Sequence, residues 1–238
     1  MYNLSEEMII TDFWWLSPEE TRKYRYVHLF HQEPYSDEPN TNRDPISCPM
    51  IPSERRFDFR FISQWKAKFS NINVFRSFTV YSSDTNCEEI IGPFLLDIDR
   101  TFTGGYKPDL GKALEDTRLL VNEYCSNLKC EDYRVFFTGH KGFHIEINPI
   151  AIKVPPNVDR RYHFENRRKD INKQFGNAFV DVSHHHIRLH NSINSWMDYS
   201  GQQIYSMNFS ISIDDLFNLN VENISAKAKN LAEAALKG

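Results

Sequence analysis

Phe94-Leu95-Leu96-Asp97-Ile98-Asp99 is an apolar run that closes on two alternating carboxylates. It reads as the end of a strand over residues 90–99, with a turn at Gly104-Gly105 beyond it. In an extended strand residues i and i+2 project to one face, so Asp97 and Asp99 point together while Ile98 faces the other way. Like charges this close repel unless a cation lies between them. Hard carboxylate oxygens suit Mg²⁺ or Mn²⁺, and a pair of such ions is the apparatus of in-line nucleotidyl transfer. Taken alone, the pattern equally fits an exposed strand end running into a turn.

Working outward, residues 109–124 carry Leu110, Ala113, Leu114, Thr117, Leu120, Val121 and Tyr124 at helical spacing behind an Asp109 cap. Strands are expected over residues 133–138 and 143–148, joined by Gly139-His140-Lys141-Gly142. Upstream, Ser17, Pro18, Glu19 and Glu20 open a helix over residues 17–25. A long loop is expected over 31–52, a helix over 52–69 from the spacing of Phe57, Phe61 and Trp65, and a strand over 73–82. Downstream, a helix is expected in the basic segment after Pro155-Pro156, short strands at 179–181 and 186–189, and an Ala-rich helix within 213–235. This mixture predicts an α+β (mixed α/β) fold, a sheet covered by helices on one side. It divides into an N-terminal α/β unit over about 1–85, a metal-binding core over about 86–212 and a helical tail over about 213–238.

The chain of 238 residues is 14% aromatic and 25% charged, a globular composition. It contains no apolar stretch of membrane-spanning length and no signal-peptide start, so a cytoplasmic protein without a membrane partner is expected. Its formal net charge of −4 excludes coating nucleic acid by bulk positive charge. A polyanion must meet a local patch, and Arg160, Arg161, Arg167, Arg168 and Lys169 form the densest one. That segment equally fits a solvated helix face laced with ion pairs. Tyr162 and Phe164, interleaved with these charges, could stack on bases or pack into the core.

Thr138-Gly139-His140-Lys141-Gly142-Phe143-His144 is the second chemical stretch. Its glycines allow close backbone approach to an anion, Lys141 supplies a compact positive charge, and His144 can donate to a phosphate oxygen. The third runs from Val180-Asp181 to Arg188-Leu189-His190-Asn191-Ser192-Ile193-Asn194. Asp181 follows an apolar residue as Asp97 does, and Arg188 offers a planar donor fork. The run His184-His185-His186 is not read as a metal site, because consecutive side chains diverge on a strand.

In order and character these three stretches resemble the catalytic core of the archaeo-eukaryotic primase superfamily, over about residues 73–194. The resemblance implies an RNA-recognition-motif-like catalytic sheet with helices, joined to the N-terminal α/β unit. It implies that Asp97, Asp99 and Asp181 bind Mg²⁺ or Mn²⁺, and that Lys141 and His144 hold nucleoside triphosphate with help from Arg188, Ser192 and Thr138. Thr138 stands where many members have Ser, and His190-Asn191 where Pro-Gly is usual. The implied activity is DNA primase or DNA polymerase on a single-stranded template, with partners drawn from replication, mobile-element or CRISPR-associated systems. A gap-filling or end-joining polymerase on the same fold is one alternative; a non-catalytic single-strand-binding module and an unrelated metal hydrolase are others. Structural zinc, carried by several relatives, is not expected, since Cys48, Cys87, Cys125 and Cys130 have no paired C-x-x-C spacing.

Overall fold

The structure, a computed structural model, describes residues 12–31, 35–36, 51–52, 56–61, 72–85, 88–102, 107–175, 180, 186–198, 200 and 202–237. In chain order its elements are α1 (Pro18–Lys23), β1 (Tyr26–Val27), β2 (Leu29–His31), β3 (Tyr35–Ser36), β4 (Ile51–Pro52), β5 (Phe57–Asp58), β6 (Val74–Ser77), β7 (Thr79–Tyr81), β8 (Glu89–Ile91) and β9 (Phe94–Asp99). There follow α2 (Leu110–Glu123), β10 (Tyr133–Phe137), β11 (Gly142–Ile147), α3 (Arg160–Phe175), β12 (His186–Arg188), β13 (Ile193–Met197), β14 (Gln203–Met207), β15 (Phe209–Ile211), α4 (Ile213–Asn218) and α5 (Val221–Lys237). The fold is α+β, and no helix among the described residues is long and apolar enough to cross a membrane. The chain forms two compact units, one of residues 1–92, 185–207 and 231–238, the other of 93–184 and 208–230.

The second unit is built on an antiparallel sheet in the order β15-β10-β11-β9. Phe94, Leu95 and Leu96 are all fully buried, so both faces of β9 are covered there. The Phe94 ring lies 5.1 Å from that of Phe164 in α3 and 6.3 Å from that of Tyr124 at the end of α2. The start of α2 is capped as its sequence predicts, Lys112 N donating to the Asp109 carboxylate at 3.0 Å, and Ala113, Leu114, Thr117, Leu120 and Val121 form its buried stripe. Arg118 on the same helix donates to the carbonyls of Leu216 and Leu219, satisfying groups that the end of α4 leaves open.

The first unit holds sheets in the orders β5-β1-β7-β8, β12-β6-β2-β4 and β14-β13-β3. Its core gathers Phe13, Trp15, Leu16, Val27, Leu29, Phe59, Val74, Val80 and Leu189, with Phe13 and Phe59 stacked at 4.1 Å. The capping box of α1 is present: Glu20 N donates to the Ser17 hydroxyl, and Ser17 N donates to the Glu20 carboxylate.

Several elements depart from the sequence expectations. The helix expected over 52–69 is replaced, where described, by β5 and a single 3₁₀ turn, Phe59–Phe61. Phe59, which the helical pattern ignores, is the buried residue there, while Phe61 is exposed. Tertiary burial of one ring outweighs a chance spacing of four. Residues 62–71 lie outside the described ones. The strand expected over 73–82 breaks at Phe78, and that over 90–99 breaks at Gly92-Pro93, where the chain passes between units. The expected loop over 31–52 contains β3 and β4 in its described part, and β13 to β15 were not anticipated.

Candidate active site

Antiparallel pairing sets His144 opposite Asp97 and Gly142 opposite Asp99. Side chains on directly paired positions share a face, so the first and second chemical stretches form one patch of the second unit. His144 Nε2 lies 3.0 Å from Asp97 Oδ1, an ion pair when the imidazole is protonated. The Asp99 carboxylate depends on Gly142. A Cβ added there would stand 2.5 Å from Asp99 Oδ1 and 1.9 Å from the Ile98 carbonyl oxygen, so only glycine fits.

The turn ahead of β11 is closed by Thr138. Its hydroxyl donates to the Gly142 carbonyl at 3.0 Å and accepts from Gly142 N at 3.3 Å, while Thr138 N donates to the same carbonyl. Gly139 takes φ 88°, the left-handed region that favours glycine. Thr138 thus shapes the loop that carries Lys141.

His144 is buried, as is Glu146 two residues on. Burial pulls the imidazole pKa down, but Asp97, with Glu146 and Asp99 behind it, more than offsets this and holds His144 above the ordinary histidine value. The patch therefore combines two carboxylates with a histidine biased toward its cationic form.

Asp97 and Asp99 offer hard oxygens on one face, a donor set that fits Mg²⁺ or Mn²⁺. Among the described residues no three His, Cys, Asp or Glu gather into a metal cage. The expected third ligand, Asp181, lies outside the described residues. Val180, its neighbour in sequence, forms an antiparallel bridge with Ile98, the residue between the two aspartates, and is tied to α3 by two hydrogen bonds with the Asn172 amide.

The rest of the third stretch belongs to the first unit. Arg188 lies over the Phe75 ring, 4.3 Å from its centroid, and donates from Nη1 to Asn73 Oδ1 at 3.2 Å. Ser192 departs from its expected phosphate contact: it is buried, and its hydroxyl proton goes to the Leu189 carbonyl, closing the turn after β12. His190 N donates to the buried Asp12 carboxylate at 2.9 Å, which anchors the same turn.

The basic segment is helical, as α3. Arg168 corrects the expectation that the whole cluster faces nucleic acid: it is only 5% exposed and donates to the Leu95 carbonyl. Lys169 pairs with Glu165 at 2.7 Å, whereas Arg161 and Arg167 are exposed and Arg160 is half-buried. Phe164 is core, while Tyr162 is 62% exposed. Cys125 and Cys130 are free thiols in turns after α2; Cys48 and Cys87 lie outside the described residues.

Sequence reading missed Asp12, Asn73 and Arg76. Arg76, fully buried inside β6, donates to the Asp12 carbonyl at 2.7 Å and lies over the Phe13 ring. An arginine directly after Val74 and Phe75 in β6 was the one available signal. No family model matches the chain, and no curated protein matches its sequence.

Proposed function

We propose that the chain is a template-directed nucleotidyltransferase of the archaeo-eukaryotic primase type, a DNA primase or DNA polymerase. The observation that supports this most is the register of β9 on β11, which joins Asp97 and Asp99 to His144 and Gly142. A carboxylate pair beside a histidine whose pKa is raised, and a glycine-lysine turn, suits a metal-bound polyphosphate better than a neutral substrate. Along the chain the second unit runs strand-helix-strand-strand-helix-strand from β9 to β15, the chain order of an RNA-recognition-motif-like unit, but its last strand, β15, pairs with β10 where that fold would set it beside the first strand, β9.

Asp97 and Asp99, with Asp181 as third ligand, would hold Mg²⁺ or Mn²⁺, which neutralises triphosphate charge and makes the attacking 3′-hydroxyl more acidic. Asp97, 3.0 Å from the ring, also favours the protonated form of His144. Protonated His144 donates to a phosphate oxygen and offsets charge that grows as the leaving pyrophosphate departs. Lys141 adds a point charge from the turn. The nucleic acid is single-stranded DNA, with exposed Arg161 and Arg167 on α3 offered to its backbone.

The test is incorporation of labelled nucleotides on a single-stranded template with Mn²⁺ or Mg²⁺, with and without primer. Activity lost in Asp97→Ala, Asp99→Ala and Asp181→Ala alike is expected. A wild type inert with both ions refutes the proposal, and full activity in one variant removes that residue from the site. Dependence on primer separates a gap-filling or end-joining polymerase from a primase.

A further inference from the structure

Residues 26–30 alternate between two sides of the first unit. Val27 and Leu29 are fully buried in its core, whereas Tyr26, His28 and Phe30 are half-buried on the opposite side. The outward side of an antiparallel sheet is ordinarily polar. Here it carries rings, and half-buried Tyr81 of β7, paired with Tyr26, adds another. The rings form a connected row: His28 meets Tyr81 edge-on at 5.8 Å and lies 6.4 Å from Phe30, which lies 4.2 Å from His186 of β12. His28, between β1 and β2, is fastened to its neighbour, its N–H donating to the Ser77 hydroxyl and its carbonyl accepting from Ser77 N.

At the Tyr81 end the Arg56 guanidinium lies over the ring, 3.7 Å from its centroid, and Nη1 donates to the Thr85 carbonyl at 2.7 Å. Burial, and then the Arg56 charge, pull His28 below the ordinary histidine value, so its imidazole serves as a neutral ring. Asp58, opposite Tyr26, is offset by Arg25 at 3.3 Å and by Arg60, and exposed Glu89, opposite Tyr81 on the edge strand β8, bounds the row. A single-stranded nucleic acid has the complementary chemistry, since its bases stack on rings and guanidinium planes while its phosphates meet the Arg56 charge.

We infer that this side of the first unit binds single-stranded DNA by base stacking, in addition to the contact proposed for α3. The inference does not depend on catalysis. Anisotropy of a fluorescent oligo-dT with the full chain tests it. Phe30→Ala and Tyr81→Ala are each expected to weaken binding roughly tenfold, and Phe30→Trp and Tyr81→Phe to keep it. An abasic oligonucleotide of the same length should bind the alanine variants and the wild type alike. Arg56→Gln should flatten the log–log salt slope by about 0.7.

Wild-type affinity in both alanine variants overturns the inference, as does an equal loss with the abasic strand. Should those variants fail to fold, photocrosslinking of the unmutated protein to an iododeoxyuridine oligonucleotide decides. Adducts on Tyr26, Phe30 or Tyr81 are expected, and adducts confined to other peptides refute the site. A wild type that binds strands through these rings yet incorporates no nucleotide overturns the nucleotidyl-transfer reading alone.

Discussion

Gly142→Ala is the substitution that separates a packed, paired catalytic face from a loose one. The added Cβ would lie 1.9 Å from the Ile98 carbonyl oxygen, 2.8 Å from its carbon and 2.5 Å from Asp99 Oδ1. Two of these are backbone atoms, so no side-chain rotation relieves the overlap, and β9 must part from β11 by roughly 1 Å. Overpacking of this kind costs about 1–3 kcal/mol. Each ladder hydrogen bond strained at the Asp99 end adds about 1 kcal/mol, so about 3 kcal/mol is expected in all. For a chain of this size that lowers Tm by about 6–12 °C, and displacing Asp99 should abolish nucleotide incorporation. Gly111→Ala is the control. Its Cβ meets nothing nearer than Asp109 Oδ1 at 3.6 Å, and alanine near the start of α2 should stabilise by about 0.5–1 kcal/mol. Thermal melts and an incorporation assay read both. If Gly142→Ala melts within 2 °C of wild type (less than about 1 kcal/mol) and stays active, the described pairing of Asp99 with Gly142 is wrong.

In the metal-free protein His144 should titrate above the ordinary value of about 6.5, and Asp97→Asn should lower that midpoint in an NMR titration. Because the folded pKa is the higher, this contact stabilises fully below the unfolded pKa and fades as pH rises through the folded one; a midpoint at or below the ordinary value contradicts it. Arg168→Ala is expected to cost about 2 kcal/mol through the lost hydrogen bond to Leu95 while single-strand affinity stays unchanged, and Arg167→Ala should do the reverse; a weakened affinity at normal stability would return Arg168 to the surface. Burial pushes the Cys125 thiol up to about 12, so iodoacetamide at mild alkaline pH should modify exposed Cys130 faster by roughly a hundredfold or more, and equal rates by peptide mapping would show that Cys125 is not buried.

The parts of the fold legible in the sequence are those set by local chemistry. Ser17 with Glu20 and Asp109 with the stripe of α2 announced two helices, and the glycines around Lys141 announced a hairpin. The spacing of Phe57 and Phe61 misled because burial of Phe59 against Phe13 is a long-range event that leaves no local trace. The carboxylate pair was readable from strand alternation, yet its partnership with His144 needed the register of two strands far apart in sequence. Arg168 illustrates the limit for charge patterns: a run of cations on a helix shows density, and only packing shows that one of them turns inward to the Leu95 carbonyl. Asn73 had no sequence signal, since a buried amide at positive φ looks like any polar residue at the start of a strand.

The most direct test of the central claim is to identify what leaves when nucleotide is consumed. With an oligo-dT template, Mn²⁺ and dATP, pyrophosphate should be released in step with chain growth, and neither should occur with dCTP or in Asp97→Ala. Orthophosphate release without extension, or extension indifferent to the template base, would contradict template-directed nucleotidyl transfer and favour a metal hydrolase or an untemplated activity.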